Sequence, residues 1–93
     1  MTDNTSQGDK FVGRFRGYDI YLPVRKFKKY YAIVDGKKVN FGDTRYEQYH
    51  DKMKHYSTLD HWDKDRRRAY KIRHEKDRHL KGSAGWFSDN VLW

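Results

Sequence analysis

Cysteine is absent from this chain, and proline occurs once, at Pro23. Without cysteine, neither a disulfide nor a thiolate metal site can hold a small fold together. That suits a reducing compartment. Long apolar runs are also missing: the longest, Tyr30 to Val34, falls far short of the ~20 residues a membrane span requires. Met1 to Asp9 carries no apolar stretch of the signal-peptide kind, so a soluble, intracellular chain is expected. Leu, Ile, Val and Phe number only 17 of 93 residues, which at high net charge is ordinarily a mark of disorder.

What the chain has instead is aromatic and cationic. Sixteen Phe, Tyr and Trp residues accompany 21 Lys and Arg against 13 Asp and Glu, for a net charge of +8. An aromatic side chain buries roughly 150–250 Å², and Tyr and Trp keep a polar tip that can stay wet. A small domain with an aromatic core and a cationic coat is expected, and such coats most often face polyanions.

Along the chain, residues 1–9 have nothing to bury and are expected as a disordered tail, leaving 10–93 as one domain. Tyr18–Leu22 reads as a strand closed by Pro23, which suits an edge position, and Phe11–Arg16 as a weaker strand. Asp35-Gly36 between Tyr30–Val34 and Val39/Phe41 is the preferred sequence of a type I′ hairpin. In that register Ala32 faces Val39 and Tyr30 faces Phe41, with Tyr31 and Ile33 opposite Asn40 and Lys38.

Tyr46, Tyr49, Met53 and Tyr56 recur at helical spacing after a cap at Asp43 or Thr44. Ser57 and Asp60 match a capping box, with Asp60 itself as the alternative N-cap and Asp63 three residues on, for a second helix over Leu59–Glu75 with Leu59, Trp62, Ala69 and Ile72 as its buried side. Gly82 stops it. The fold class is therefore α+β: a small antiparallel sheet of two or three strands packed with two helices and an apolar C-terminal tail.

Several blocks occur in order: Phe41-Gly42-Asp43-Thr44-Arg45-Tyr46, Tyr56-Ser57-x-Leu59-Asp60-His61, and Asp63-Lys64-x-Arg66-Arg67. Tyr70, Arg73-His74, Ser83-Ala84-Gly85-x-Phe87-Ser88 and a terminal Leu92-Trp93 follow, and Lys28-Lys29-Tyr30 with Gly36-Lys37-Lys38 precede them. This set resembles a family of short, basic, uncharacterised proteins of large double-stranded DNA viruses of algae and protists and of some phages. The resemblance implies a viral origin and brings no activity with it. Residues 1–25 lie outside it.

Residues 60–81 hold nine cations against five acids. Arg66, Arg67, Arg68, Lys71 and Arg73 on one helix are candidates for phosphate contacts, each of which releases counterions. The competing reading is a solvated helix whose Asp60–Lys64, Asp63–Arg67, Lys71–Glu75 and Asp77–Lys81 pairs cancel the charge. Lys37 and Lys38, in a ribbon with Arg25, Lys26, Phe27, Lys28 and Lys29, form a second patch, and Tyr31 is a candidate base-stacking platform. The alternative there puts Phe27 and Tyr30 in the core and leaves the lysines to guard a sheet edge.

Asp60-His61, His74, His79 and Asn90 supply the residue types of a compact nuclease site. However, His50/His55 and His74/His79 are five apart, which does not align two imidazoles on one helix face. No metal site, cofactor or catalytic residue is assigned, and a non-enzymatic protein is expected. The tail residues Trp86, Phe87, Leu92 and Trp93 are too apolar for water, so they either dock on the domain or anchor in a partner.

The favoured function is a small viral nucleic-acid-binding protein, for DNA or RNA, packaged in the virion or acting inside the host cell, in cytoplasm or nucleus. Membrane association is not expected. The alternative is a minor capsid or cement protein held to a larger shell protein by that tail. A host-directed inhibitor of an acidic surface is a third reading, with no specific residue behind it.

Overall fold

The computed structural model describes residues 8–93 and is α+β, with one antiparallel sheet of four strands in the order β1-β2-β3-β4. The strands are β1 (Lys10–Phe15), β2 (Tyr18–Leu22), β3 (Lys28–Val34) and β4 (Lys37–Asp43). The β3–β4 register matches the expected one, with Tyr30 opposite Phe41 and Ala32 opposite Val39. Asp35 and Gly36 both take positive φ, 50° and 77°, as a type I′ turn demands.

The sheet has more strands than the two or three expected, because Lys10–Phe15 pairs fully with β2. Arg16 and Gly17 repeat the same turn chemistry, with φ of 50° and 88°. The β1–β2 register shifts between Phe11 and Gly13, so a bulge takes up one residue. β2 is thus an inner strand, and Pro23 stands just past its end, where no ladder hydrogen bond is needed. Residues 1–7 of the expected tail lie outside the described residues. Asp9 is tied to the sheet, accepting from Val24 N at 2.9 Å and from the Tyr31 hydroxyl at 2.8 Å.

The core lies on one face of the sheet. Ile20, Tyr30, Ala32 and Phe41 point into it from the strands, and Trp86, Phe87, Val91 and Leu92 cover them. Phe87 stacks on Phe41 with ring centres 5.2 Å apart and meets Tyr18 edge-on at 5.1 Å. Each fully buried side chain of this size contributes about 1.5–3 kcal/mol by leaving water. The covering segment is helical: Ser83 caps α2 (Ala84–Phe87) by accepting from Trp86 N at 3.2 Å, and a wider π turn, Ser88–Leu92, continues it.

The helix expected from the Tyr46/Tyr49/Met53/Tyr56 stripe does not form. Residues 44–56 are turns and bends, with one bridge between Gln48 and Asp60. The residues this segment buries completely are Gln48 and Asp51, both polar. A short 3-10 turn, Ser57–Leu59, precedes the main helix, α1 (Lys64–Arg73), which is shorter than Leu59–Glu75. Asp63 caps it, accepting from Asp65 N at 2.9 Å and Arg66 N at 3.2 Å, in place of Ser57 or Asp60. Its buried residue is Tyr70, while Trp62, Ala69 and Ile72, expected inside, are exposed.

Candidate nucleic-acid interface

α1 is anchored lightly. Tyr70 lies flat against Trp93, ring centres 4.2 Å apart and planes within 2°, and His74 stacks on Tyr70 at 4.2 Å. Three cations of the helix finish the attachment. Arg66 pairs with Glu47 at 2.8 Å, and Lys71 with Asp89 at 2.8 Å. Arg67 donates Nε–H to the main-chain oxygen of Trp93 at 2.7 Å and lies 4.9 Å from the Tyr49 ring centre.

These contacts settle where the acids go. Asp60 is spent on Gln48, His50 and the Asp51 amide, and Asp63 on the amides of the first turn. Neither faces Lys64 or Arg67; Lys71 turns to Asp89, Glu75 to Arg78 and His79, and Asp77 toward His74, so none of the four i,i+4 pairs expected from the sequence forms. The local pairs that do form are Glu75 with Arg78 at 2.9 Å and with His79 at 2.8 Å, His74 with Asp77 at 3.6 Å, and a loose Asp65–Arg68 at 3.8 Å. Exposed pairs of this kind contribute little and are screened by salt.

A shallow cleft of about 400 Å³ runs along the outer side of α1, lined by Lys64, Arg67, Arg68, Lys71, Ile72, Glu75 and Arg78. Five of these are cations and one is an acid. Asp89, buried behind them, accepts from Lys71 and lies 3.6 Å from Arg78. Nearby, Lys52 donates to the main-chain oxygen of Asn90. Burial, and then the charges of Lys71, Arg16 and Arg67, push the Lys52 amine below its ordinary value. Like charges are therefore held together by the fold, a cost that an incoming anion would relieve.

The candidate residues fall in different places. Arg67, Arg68 and Lys71 line this cleft. Arg66 is turned toward Glu47, and Arg73 lines a different opening on the other side of α1. Lys37 and Lys38 open β4 beside the Asp35-Gly36 turn, outside the cleft. Lys38 lies 3.5 Å from Asp9 and 4.8 Å from the Tyr31 ring centre. Tyr31 cannot stack a base as placed: it is 1% exposed, with Tyr21 stacked on it at 5.1 Å and its hydroxyl on Asp9. Lys29, grouped with the surface lysines by the sequence, is 2% exposed.

Of the tail, Trp86, Phe87 and Leu92 are core and Trp93 is half-buried on Tyr70, so docking on the domain is the outcome of the two that were open. Committed to the core, they are not surface anchors. Arg16, Lys52, Lys64 and Arg78 were not singled out as site residues. For Lys64 and Arg78 the run of cations around α1 carried the signal; Arg16 and Lys52 arrive from distant parts of the chain, which no local pattern records. Among the described residues no group of three His, Cys, Asp or Glu is arranged to hold a metal ion. The chain matches no protein-family model, no curated protein and no solved structure in comparisons with each.

Proposed function

We propose that this chain is a small, non-enzymatic nucleic-acid-binding protein of a large double-stranded DNA virus, carried in the particle or acting within the host cell. The observation behind this reading is the charge balance of the α1 cleft, five cations to one acid in its lining, with Asp60 and Asp63 engaged elsewhere and Asp89 behind it only partly offsetting Lys71 and Arg78. Phosphates would lie along Lys64, Arg67, Arg68, Lys71 and Arg78, with Lys52 and Arg16 extending the track. Such contacts carry little base information, so binding is expected to be indifferent to sequence.

Titration of a labelled oligonucleotide across salt concentrations tests this. With about five phosphates engaged, log K falls against log[salt] with a slope of about −4. Replacing Lys64 and Arg68 by Gln makes the slope shallower by about 2. These two are chosen because neither holds the fold together. Affinity that ignores salt, or no binding at about 50 mM salt, would overturn the reading.

A further inference from the structure

On the other side of α1 lies a second opening of about 470 Å³, bordered by β4 and by the helical C-terminal segment. Its walls combine aromatic faces, Tyr46, Tyr70 and Trp93, with the cations Lys28 and Arg73 and the amide of Asn40. Two of the three acids around it, Asp43 and Glu47, are already occupied. Asp43 takes three bonds from Arg45, at 2.9 Å from the main-chain N, 3.0 Å from Nε and 2.6 Å from a terminal nitrogen. Glu47 is paired with Arg66, and Asp77 lies 3.6 Å from His74. Lys28 and Arg73 make no ion pair among the described residues.

One ring of this opening, Tyr46, is exposed, and a second exposed ring lies just outside it. Tyr46 is 65% exposed and Phe27, beside it, 39%. The Arg45 guanidinium, fixed by Asp43, sits 4.3 Å from the Phe27 ring centre and 5.9 Å from that of Tyr46. Phe27 holds φ of 68°, a left-handed conformation that is strained for a bulky side chain, and Thr44 N donates to its carbonyl at 3.0 Å. The fold thus retains a strained residue to keep an aromatic–arginine–aromatic array outside the core. A solvated surface would not require that array.

We propose that this opening binds single-stranded nucleic acid, with an unpaired base stacked on Tyr46 and backbone phosphates held by Lys28 and Arg73. The proposal deepens the nucleic-acid reading above and rests on it for the class of ligand. Duplex bases present their edges but not their faces, so an exposed ring selects the unpaired strand. The phosphates supply attraction and Tyr46 supplies the preference.

The test is fluorescence anisotropy with oligo-dT and oligo-U of about 12 nucleotides and a duplex of the same length. The wild-type chain is compared with Tyr46→Ala, Tyr46→Trp and the Lys64→Gln/Arg68→Gln double variant. Lys29 bonds the main-chain oxygen of Tyr46, which both ring substitutions keep, and circular dichroism verifies the fold.

Tyr46→Ala weakens single-strand binding roughly 5- to 150-fold and leaves the duplex unchanged, while Tyr46→Trp retains the affinity. Single-strand affinity unaltered by Tyr46→Ala, or an equal loss on the duplex, would overturn the proposal. If only the α1 double variant loses affinity, the cleft reading stands and this one falls. Dependence on Tyr46 with indifference to Lys64 and Arg68 gives the reverse.

Discussion

The segment Ala84–Leu92 meets the sheet through Trp86, Phe87, Val91 and Leu92, whereas residues 44–62 meet it through the buried Gln48 and Asp51, with only half-buried Met53 and Tyr56 on the apolar side. Both cover β3, and they join each other where His50 N and Lys52 N donate to Leu92 O and Val91 O, each at 3.0 Å. Their chemistry differs. The first is a contact of apolar surfaces, which is non-directional and tolerates a change of shape. The second is a chain of directional hydrogen bonds between buried polar groups. Lys29 donates to Gln48 Oε1 and to Tyr46 O; Gln48 Nε2 donates to Asp60 and to Tyr56 O. Asp51 accepts from the Tyr30 hydroxyl at 2.5 Å, Tyr56 N at 2.9 Å and Met53 N at 2.8 Å.

The contrast predicts a reversal of the usual expectation for conservative changes. Asp51→Asn is nearly isosteric, yet it points an NH₂ at N–H or O–H donors on one side and strands at least one of them in a buried site. A loss of about 3 kcal/mol is expected in urea unfolding. Phe87→Leu removes more atoms but keeps an apolar side chain in an apolar place, and a loss of about 1 kcal/mol is expected. If Asn at position 51 costs no more than Leu at 87, the polar segment is not specified atom by atom and the comparison fails.

Gly42, on β4, lies between the apolar segment and the buried lysine that anchors the polar one. Its φ is 79°, and a Cβ there would stand 2.9 Å from both Leu92 Cδ1 and Lys29 Cδ. The missing side chain lets a buried lysine stem and a core leucine approach the strand together. Gly42→Ala is expected to cost about 2 kcal/mol, from overpacking and backbone strain combined. Adding Leu92→Ala relieves the clash on one side only, so a double variant no less stable than Leu92→Ala alone would locate all the crowding on the apolar side.

The same contrast explains what could be read in advance. The β3–β4 hairpin was legible because Asp35-Gly36 and the alternation around it are local. The apolar demand of Trp86, Phe87 and Leu92 was legible too, though not their helical form, which rests on the Ser83 cap. Residues 44–56 misled because Tyr46, Tyr49, Met53 and Tyr56 fall at helical spacing by composition alone. The positions that matter, Gln48 and Asp51, are polar, and their partners Lys29 and Tyr30 lie some twenty residues away. A buried polar residue with a distant partner leaves no periodic trace. At the candidate interface the cations of α1 were visible, but their balance was not. It depended on Asp60 and Asp63 being diverted to other groups.

Titration separates the two regions further. Burial pushes the Asp60 carboxyl up, but hydrogen bonds from Gln48, His50 and the Asp51 amide outweigh it and hold the group below its ordinary value. A carboxyl lowered on folding stabilises the fold above its unfolded pKa of about 4, and that contribution disappears as pH falls through the folded value. The steep drop in the urea midpoint should begin only below about pH 4. Asp60→Asn, less stable at neutral pH, should flatten that drop, whereas Phe87→Leu should shift the whole profile down without changing its shape. Parallel profiles for all three proteins would mean that the polar network carries no acid sensitivity.

The smallest effect concerns His61, at the junction with α1. Burial, and then the charge of Arg66, hold its imidazole below the ordinary histidine value. Nδ1 accepts from Asp63 N at 2.9 Å, which requires that nitrogen to be unprotonated, and buried Nε2 has no hydrogen-bond partner. The folded state therefore prefers neutral imidazole. The preference is fully felt above the unfolded pKa of about 6.5 and is lost as pH falls toward the lower folded value. A shallow decline in thermal midpoint should begin near pH 6.5, well before the steeper one governed by Asp60. His61→Asn keeps an acceptor for the Asp63 amide and cannot be protonated, so it should erase the shallow limb and leave the steep one. Because Asp63 caps α1, circular dichroism should show helix loss accompanying the shallow limb in the wild type. A decline in that range with α1 intact would place its origin away from this junction.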